Sequence, residues 1–390
     1  MAESRRGTPT WPLYIGGFLG PFGGQLVGTM LPEVAQDLNV TIEVASIGLT
    51  AYLIPFAALM LVSGTIAERL GRRTSVRAAY ALYVVASLVC AFAPSFELFV
   101  VGRIVQGIAN AFTTPVLVGA LADAVRPERL GRSLGMYGSL QAFGQAMAPL
   151  AGGLAAAINW RGGFVVVAVV AAVLFFLPPR DAADQSGVAR GTFRSLANRR
   201  LALACLVAGL AYLTTTGVIL LVALYGRVEF GLSPEMAGLA VAAFGTAGLL
   251  TGRRTGGLID RLGLFAVGIV SHVLLGLACL VIGLTAGLPV AVGVTIMVLA
   301  VALGGMSGTA TRSVAQNLAV TSAPTNRSGA SSVMLACQFG GSALAPLVWV
   351  PLFYGWSTFG SLMLTGVPAA LSGLVLATVW FVRRTARPAS

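Results

Sequence analysis

The feature that most constrains this chain is a recurrence: apolar stretches of about 20 residues follow one another from end to end, each long enough to cross a hydrocarbon core as a helix. They fall near 11–32, 45–66, 75–94, 97–121, 134–157, 162–178, 200–223, 235–254, 263–285, 288–311, 328–351 and 356–382, which makes twelve. In lipid every backbone N–H and C=O must be satisfied internally, so a succession of such stretches is an all-α membrane protein. Proline and glycine inside them do not veto helices, because neighbouring helices can satisfy freed backbone groups. A soluble fold is excluded by the proportions: 57% of residues are hydrophobic and 10% charged, against about 25% charged in soluble domains. The 49 glycines suit helices packed closely in a bilayer.

The net charge of +12 does not point to nucleic acid, because the basic residues punctuate the apolar stretches instead of forming one stripe or tail. All 25 are Arg. They fall at Arg5 and Arg6, at Arg69 to Arg77, at Arg126 to Arg132, at Arg180 to Arg200, at Arg253 to Arg261, at Arg312 and Arg327, and at Arg383 to Arg387. With Arg103, Arg161 and Arg227 set aside, 22 of 25 lie on one side. Positive loops stay in the cytoplasm, so a multi-pass protein of the cytoplasmic (inner) membrane with both termini inside is expected. The polar opening MAESRRGTPT precedes a first span read as retained. Cys90, Cys205, Cys279 and Cys337 sit in apolar segments without metal-ligand spacing and read as small packing residues.

The polar stretch from Pro178 to Arg200 divides the chain near its middle, giving an N-terminal half 1–178, a linker 179–199 and a C-terminal half 200–390. An internal repeat supports the division. GTIAERLG (Gly64 to Gly71) matches GGLIDRLG (Gly256 to Gly263), with Glu68 and Arg69 in register with Asp260 and Arg261, and a stretch from Arg132 matches one from Arg327. Two pseudo-symmetric six-helix bundles follow.

Three motifs and several connectors resemble the major facilitator superfamily, most closely its drug/proton antiporter branch. GTIAERLGRR (Gly64, Glu68, Arg69, Gly71, Arg72, Arg73) resembles the G-x-L-x-D-x-x-G-R-[KR] signature between spans 2 and 3. The resemblance implies a cluster that latches the cytoplasmic side, with Asp123 as acidic partner. GRIVQGIANA places Arg103 inside span 4, where an arginine costs about 2.5–3.5 kcal/mol on insertion scales; in proton-driven relatives this arginine is implicated in coupling. Gly135, Gly144, Ala148, Pro149, Gly152 and Gly153 follow the antiporter spacing of span 5, with Ala148 in place of a glycine. Such a face packs tightly and can block a leak. LPEVAQDLNV, WRGGF and EFGLSP resemble connectors common in drug exporters.

The resemblance implies a substrate site at mid-membrane between the halves, lined by spans 1, 4, 7 and 10 with help from 2, 5, 8 and 11. The polar and aromatic residues available there are Phe22, Gln25, Tyr52, Asn110, Tyr137, Gln141, Gln145, Tyr212, Thr215, Phe244, Gln338 and Phe339. No Asp or Glu lies deep in any span, so Glu33 is the first candidate for a titrating group, ahead of His272. The absence of intramembrane acid also disfavours strongly cationic substrates.

The expected activity is alternating-access, proton-driven export of small lipophilic or drug-like compounds by a monomer. A sugar or metabolite carrier is the alternative within the class, and a non-transporting receptor or scaffold the alternative outside it. An enzyme would need paired acids, a metal cluster or a nucleophile with its base inside the membrane, and none is evident. Without any Lys there is no nucleotide loop of the G-x-x-x-x-G-K-[ST] type, and no cofactor or metal is expected.

Overall fold

The computed structural model describes residues 10–125, 127–179, 196–323 and 327–385. Most of the expected linker, Arg5 and Arg6, and the side chains of Glu68 and Asp123 lie outside the described residues. The described chain is largely helical, and nine of its helical stretches are long and apolar enough to cross a membrane. Two shorter apolar helices, Phe143–Ile158 and Trp160–Phe175, and the first helix supply the other passages.

Three passages are not single helices. The first is α1 (Trp11–Gln25), a 3-10 turn (Leu26–Thr29) and α2 (Leu31–Asp37); the fourth is α5 (Phe96–Ala111) then α6 (Thr114–Ala124); the twelfth is α14 (Thr358–Leu364) then α15 (Val367–Thr385). Pro32, Pro115 and Pro368 each stand second in the helix that follows the break. A proline there lacks only an N–H that would be unpaired anyway, whereas inside a continuous helix it would clash with the preceding turn.

The remaining passages are α3 (Ile42–Leu70), α4 (Arg72–Phe92), α7 (Pro127–Ile158), α8 (Trp160–Phe175), α9 (Arg199–Phe230), α10 (Pro234–Leu262), α11 (Leu264–Gly283), α12 (Val290–Ser322) and α13 (Arg327–Gly355). The repeat is visible in the backbone: Gly71 joins α3 to α4 at φ +88° and Gly263 joins α10 to α11 at φ +87°. An L side chain at either position would be strained.

One placement needs correction. The sequence ends the tenth span at 311, with Arg312 in the following loop, but α12 continues unbroken to Ser322. Small and hydroxyl residues in GTATRSVAQ keep the helix close-packed: Ser313 donates to the Thr309 carbonyl and Thr311 to Gly308. Arg312 is therefore a helix residue and half-buried.

Helices of the N-terminal group meet those of the C-terminal group along two pairs, α3 with α13 and α7 with α10. Large apolar side chains remain exposed around the outside, among them Val85, Val166, Val273, Leu299 and Leu374, as a lipid-facing surface requires.

Candidate substrate cleft and closed end

The two groups are pressed together at the end away from the arginine-rich connections. Along α7 and α10 the backbones touch. A Cβ at Gly153 would lie 2.4 Å from the Pro234 carbonyl oxygen, one at Gly238 2.5 Å from that of Pro149, and one at Gly245 on top of Ala146. Only hydrogen fits there, which gives the glycines and Pro149 of the span 5 motif a physical purpose. Gly144 and Gly152 face the other way, onto the carbonyls of Phe18 and Leu26. Thr29 Oγ1 donates to the Pro149 carbonyl at 3.0 Å, supplying a partner beside the proline bend. Along α3 and α13, Thr50 Oγ1 donates to the Ala343 carbonyl at 2.7 Å and Phe56 meets Phe339 edge to face at 4.7 Å.

An ion pair spans the same end. Both terminal guanidinium nitrogens of Arg227, on α9, donate to the Glu33 carboxylate on α2, Nη1 at 3.0 Å and Nη2 at 2.5 Å. The side chains are only 20% and 19% exposed. A bidentate fork of this kind is directional as well as electrostatic. Nearby, Asp37 accepts from the Trp160 indole and pairs with Arg161, whose guanidinium also donates to the carbonyls of Ala91 and Ala93. Glu229 accepts from the Gly287 N–H. The three connector motifs thus knit the closed end.

Arg103 lies on this side, fully buried. Its Nε donates to the Gly48 carbonyl, its other nitrogens to those of Gly23 and Gly24 and to Gln106 Oε1 at 2.8 Å, and its guanidinium carbon stands 4.5 Å from the Tyr52 ring centroid. Gln106 then donates to Ser87, and Ser87 to the Tyr83 carbonyl. Arg103 satisfies its charge on backbone carbonyls and an aromatic face. It joins α1, α3 and α5, and the α1 break close beyond Gly24 turns that helix end toward it.

At the arginine-rich end Gly64, Gly256 and Gly257 have no described atom within 4 Å of where a Cβ would stand, and Arg69, Asp260 and Arg261 are exposed. Arg72 reaches back over Gly119 on α6.

Between the two ends is a cleft of two lobes. The larger lies between Gln25, Gln145, Tyr212, Thr215, Phe244 and Arg312, with Thr216, Ile219, Val241 and Leu249 beside them. The other is lined by Tyr52, Phe56, Gln141 and Phe339. Gln25 and Gln145 belong to both. The side-chain amides of Gln25, Gln141 and Gln145 make no hydrogen bond with described residues. Of the candidates drawn from sequence, Gln25, Tyr52, Gln141, Gln145, Tyr212, Thr215, Phe244 and Phe339 stand on the cleft lining. Phe22 stacks on Phe18, Asn110 packs on Gly20 and accepts from Thr113, Tyr137 covers Gly17, and Gln338 is fully buried. His272 lies buried on α11, Nδ1 2.7 Å from the Gly268 carbonyl. Sequence reasoning missed Arg312, because an arginine at the edge of a hydropathy window looks like a loop residue. The unbroken run of small and hydroxyl residues beyond it was the available signal.

A cleft between two helix groups, sealed at one end, is what a carrier needs, and the profile of the Major Facilitator Superfamily matches residues 13–346. The chain belongs to the major facilitator superfamily. Facilitators are transporters and not enzymes, and this one is a multi-pass membrane protein. Among curated facilitators, it is 30% identical over 190 residues to "Uncharacterized MFS-type transporter YybF" of Bacillus subtilis, covering 46% of this chain and 47% of that protein. It is also 30% identical over 189 residues to "Multidrug resistance protein MdtL" of Shigella dysenteriae, covering 46% and 48%. The chain spans about half the length of these relatives. A solved bacterial homologue of the human lysosomal transporter Spinster, inward-facing and unoccupied, superposes with a TM-score of 0.75 at 16% identity, over 97% of each chain. At that identity the likeness is one of fold.

Proposed function

We propose that this facilitator exports small lipophilic, drug-like compounds by alternating access, driven by protons, with its arginine-rich end and both termini on the cytoplasmic side of the cell membrane. The observation that carries the reading is the cleft: aromatic and aliphatic surface, unpaired neutral amides, and no carboxylate among the described lining residues. Such a lining suits amphipathic compounds of varied shape and disfavours strong cations. The similarity to a multidrug resistance protein and the placement of most of the arginines in connections on one side support it.

In this mechanism the halves 1–178 and 200–390 rock about the cleft as a monomer. The described conformation is closed outward, with the glycine-lined contact of α7 with α10 as the seal and Glu33–Arg227 as its latch. Glu33, the candidate coupling residue, holds the outer end shut through its fork with Arg227, and loss of that fork lets the end open. Arg103 positions the broken end of α1 against α3 and α5 and so sets where the moving surfaces meet.

The test is uptake of a fluorescent lipophilic probe into energised inside-out vesicles, with an uncoupler control. Uncoupler-sensitive accumulation that Glu33→Gln diminishes is expected. Accumulation indifferent to the uncoupler would exclude proton drive, and none across a broad panel would turn the reading toward a narrow sugar or metabolite carrier.

A further inference from the structure

The larger lobe of the cleft contains one charged group among its described lining residues, Arg312. Its guanidinium makes no hydrogen bond or ion pair with any described residue. The contrast with Arg103 is instructive: that arginine is fully buried and bonded to three carbonyls and a glutamine. The described acids nearest in sequence on the adjoining helices, Glu229 and Asp260, are at helix ends: Glu229 is tied to the Gly287 N–H and Asp260 is exposed. Arg312 is half-buried, within one turn of Thr309 and Gly308, which also line the lobe, and Gln25 and Gln145 present free amides to the same space.

A planar fork of donors held without a partner in a partly desolvated cleft is a receptor for a planar anion. Removal from water strengthens the attraction, and the surrounding Phe244, Ile219, Val241 and Leu249 would take up an apolar body.

Resting on the export reading above, we propose that Arg312 is the specificity-determining residue of the cleft and selects lipophilic monoanions, such as aromatic carboxylates, over neutral and cationic compounds of the same shape. The carboxylate docks on the Arg312 fork, Gln25 or Gln145 donates to its second face, and the ring system lies against Phe244 and Ile219.

The test uses the full-length protein in detergent and three matched probes: 2-naphthoate, 2-naphthamide and 2-naphthylmethylammonium, with binding followed by equilibrium dialysis. The carboxylate is expected to bind roughly tenfold or more tighter than the amide and the ammonium more weakly still. In Arg312→Gln the carboxylate should fall to the level of the amide; Arg312→Lys should recover part of the preference. Equal binding of carboxylate and amide by the native protein, no measurable carboxylate binding, or a preference that survives Arg312→Gln would each overturn the proposal. Vesicle flux separates this from the export reading. Carboxylate binding that depends on Arg312 without flux would support the anion site and sink export, whereas flux of all three probes that Arg312→Gln leaves unchanged would support export and sink the anion site. If Arg312→Gln failed to fold, the ranking of the three probes on native protein would still decide.

Discussion

The two ends of the molecule are built differently from repeated material. At the closed end, α7 meets α10 with no room for a Cβ at Gly153 or Gly238, Arg227 grips Glu33, and Arg103 is bonded on four sides. At the arginine-rich end, Gly64, its repeat mate Gly256 and the adjacent Gly257 meet no described atom where a Cβ would stand. Small residues that look alike in sequence thus serve as a seal at one end and are uncovered at the other. A carrier that alternates needs this asymmetry to be reversible, so the closed end must be held by contacts strong enough to exclude solvent and weak enough to release.

Breaking the closed end at its deepest point should have the largest effect. Arg103→Gln removes a charge that orders three helices and leaves the carbonyls of Gly23, Gly24 and Gly48 without their donors. A loss of about 3 kcal/mol of stability is expected, with transport abolished, as followed by thermal unfolding in detergent and vesicle flux. Gly153→Val or Gly238→Val places methyl groups on a facing backbone and should cost about 1–3 kcal/mol. Because only the closed conformation is overpacked, reagents should gain access to the cleft from the sealed side while the fold persists.

Smaller changes sharpen the comparison. Glu33→Gln and Arg227→Gln each remove one charge from a pair about one-fifth exposed. Solvent screening limits the effect to about 1–2 kcal/mol, roughly a tenfold shift toward outward opening. A double-mutant cycle on outer-end accessibility should return most of it as coupling. Smallest is Gln145→Ala, which removes an unpaired amide from the cleft. Substrate affinity should fall about three- to tenfold with stability unchanged, measured by dialysis and melting temperature together.

Much of the fold was legible because hydropathy has a long period in this chain: helical passages of roughly the right extent, and the duplicated hinge at Gly71 and Gly263, can be read directly. The breaks at Pro32, Pro115 and Pro368 were not, since a window of 20 residues averages over a proline that restarts a helix. The cleft was legible only as a pool of residues. Which face of α5 carries Asn110, or of α13 carries Gln338 rather than Phe339, depends on helix rotation, and apolar character all round leaves rotation unmarked in the sequence. The Glu33–Arg227 fork joins residues 194 apart, a pairing that no local pattern encodes, and Arg312 was hidden by the edge of a span.

The most direct test of the central claim is the distance between helix groups at each end, measured by double electron–electron resonance. Spin labels would stand at Ile158 and Met236 for the closed end and at Leu70 and Leu262 for the other, all exposed, in a background without cysteine. The account predicts a short, narrow distance at the first pair and a longer one at the second in the native sequence. Glu33→Gln should lengthen the first and shorten the second together. Distances at both ends that stay fixed, or that change at one end without the other, would contradict alternating access through this cleft.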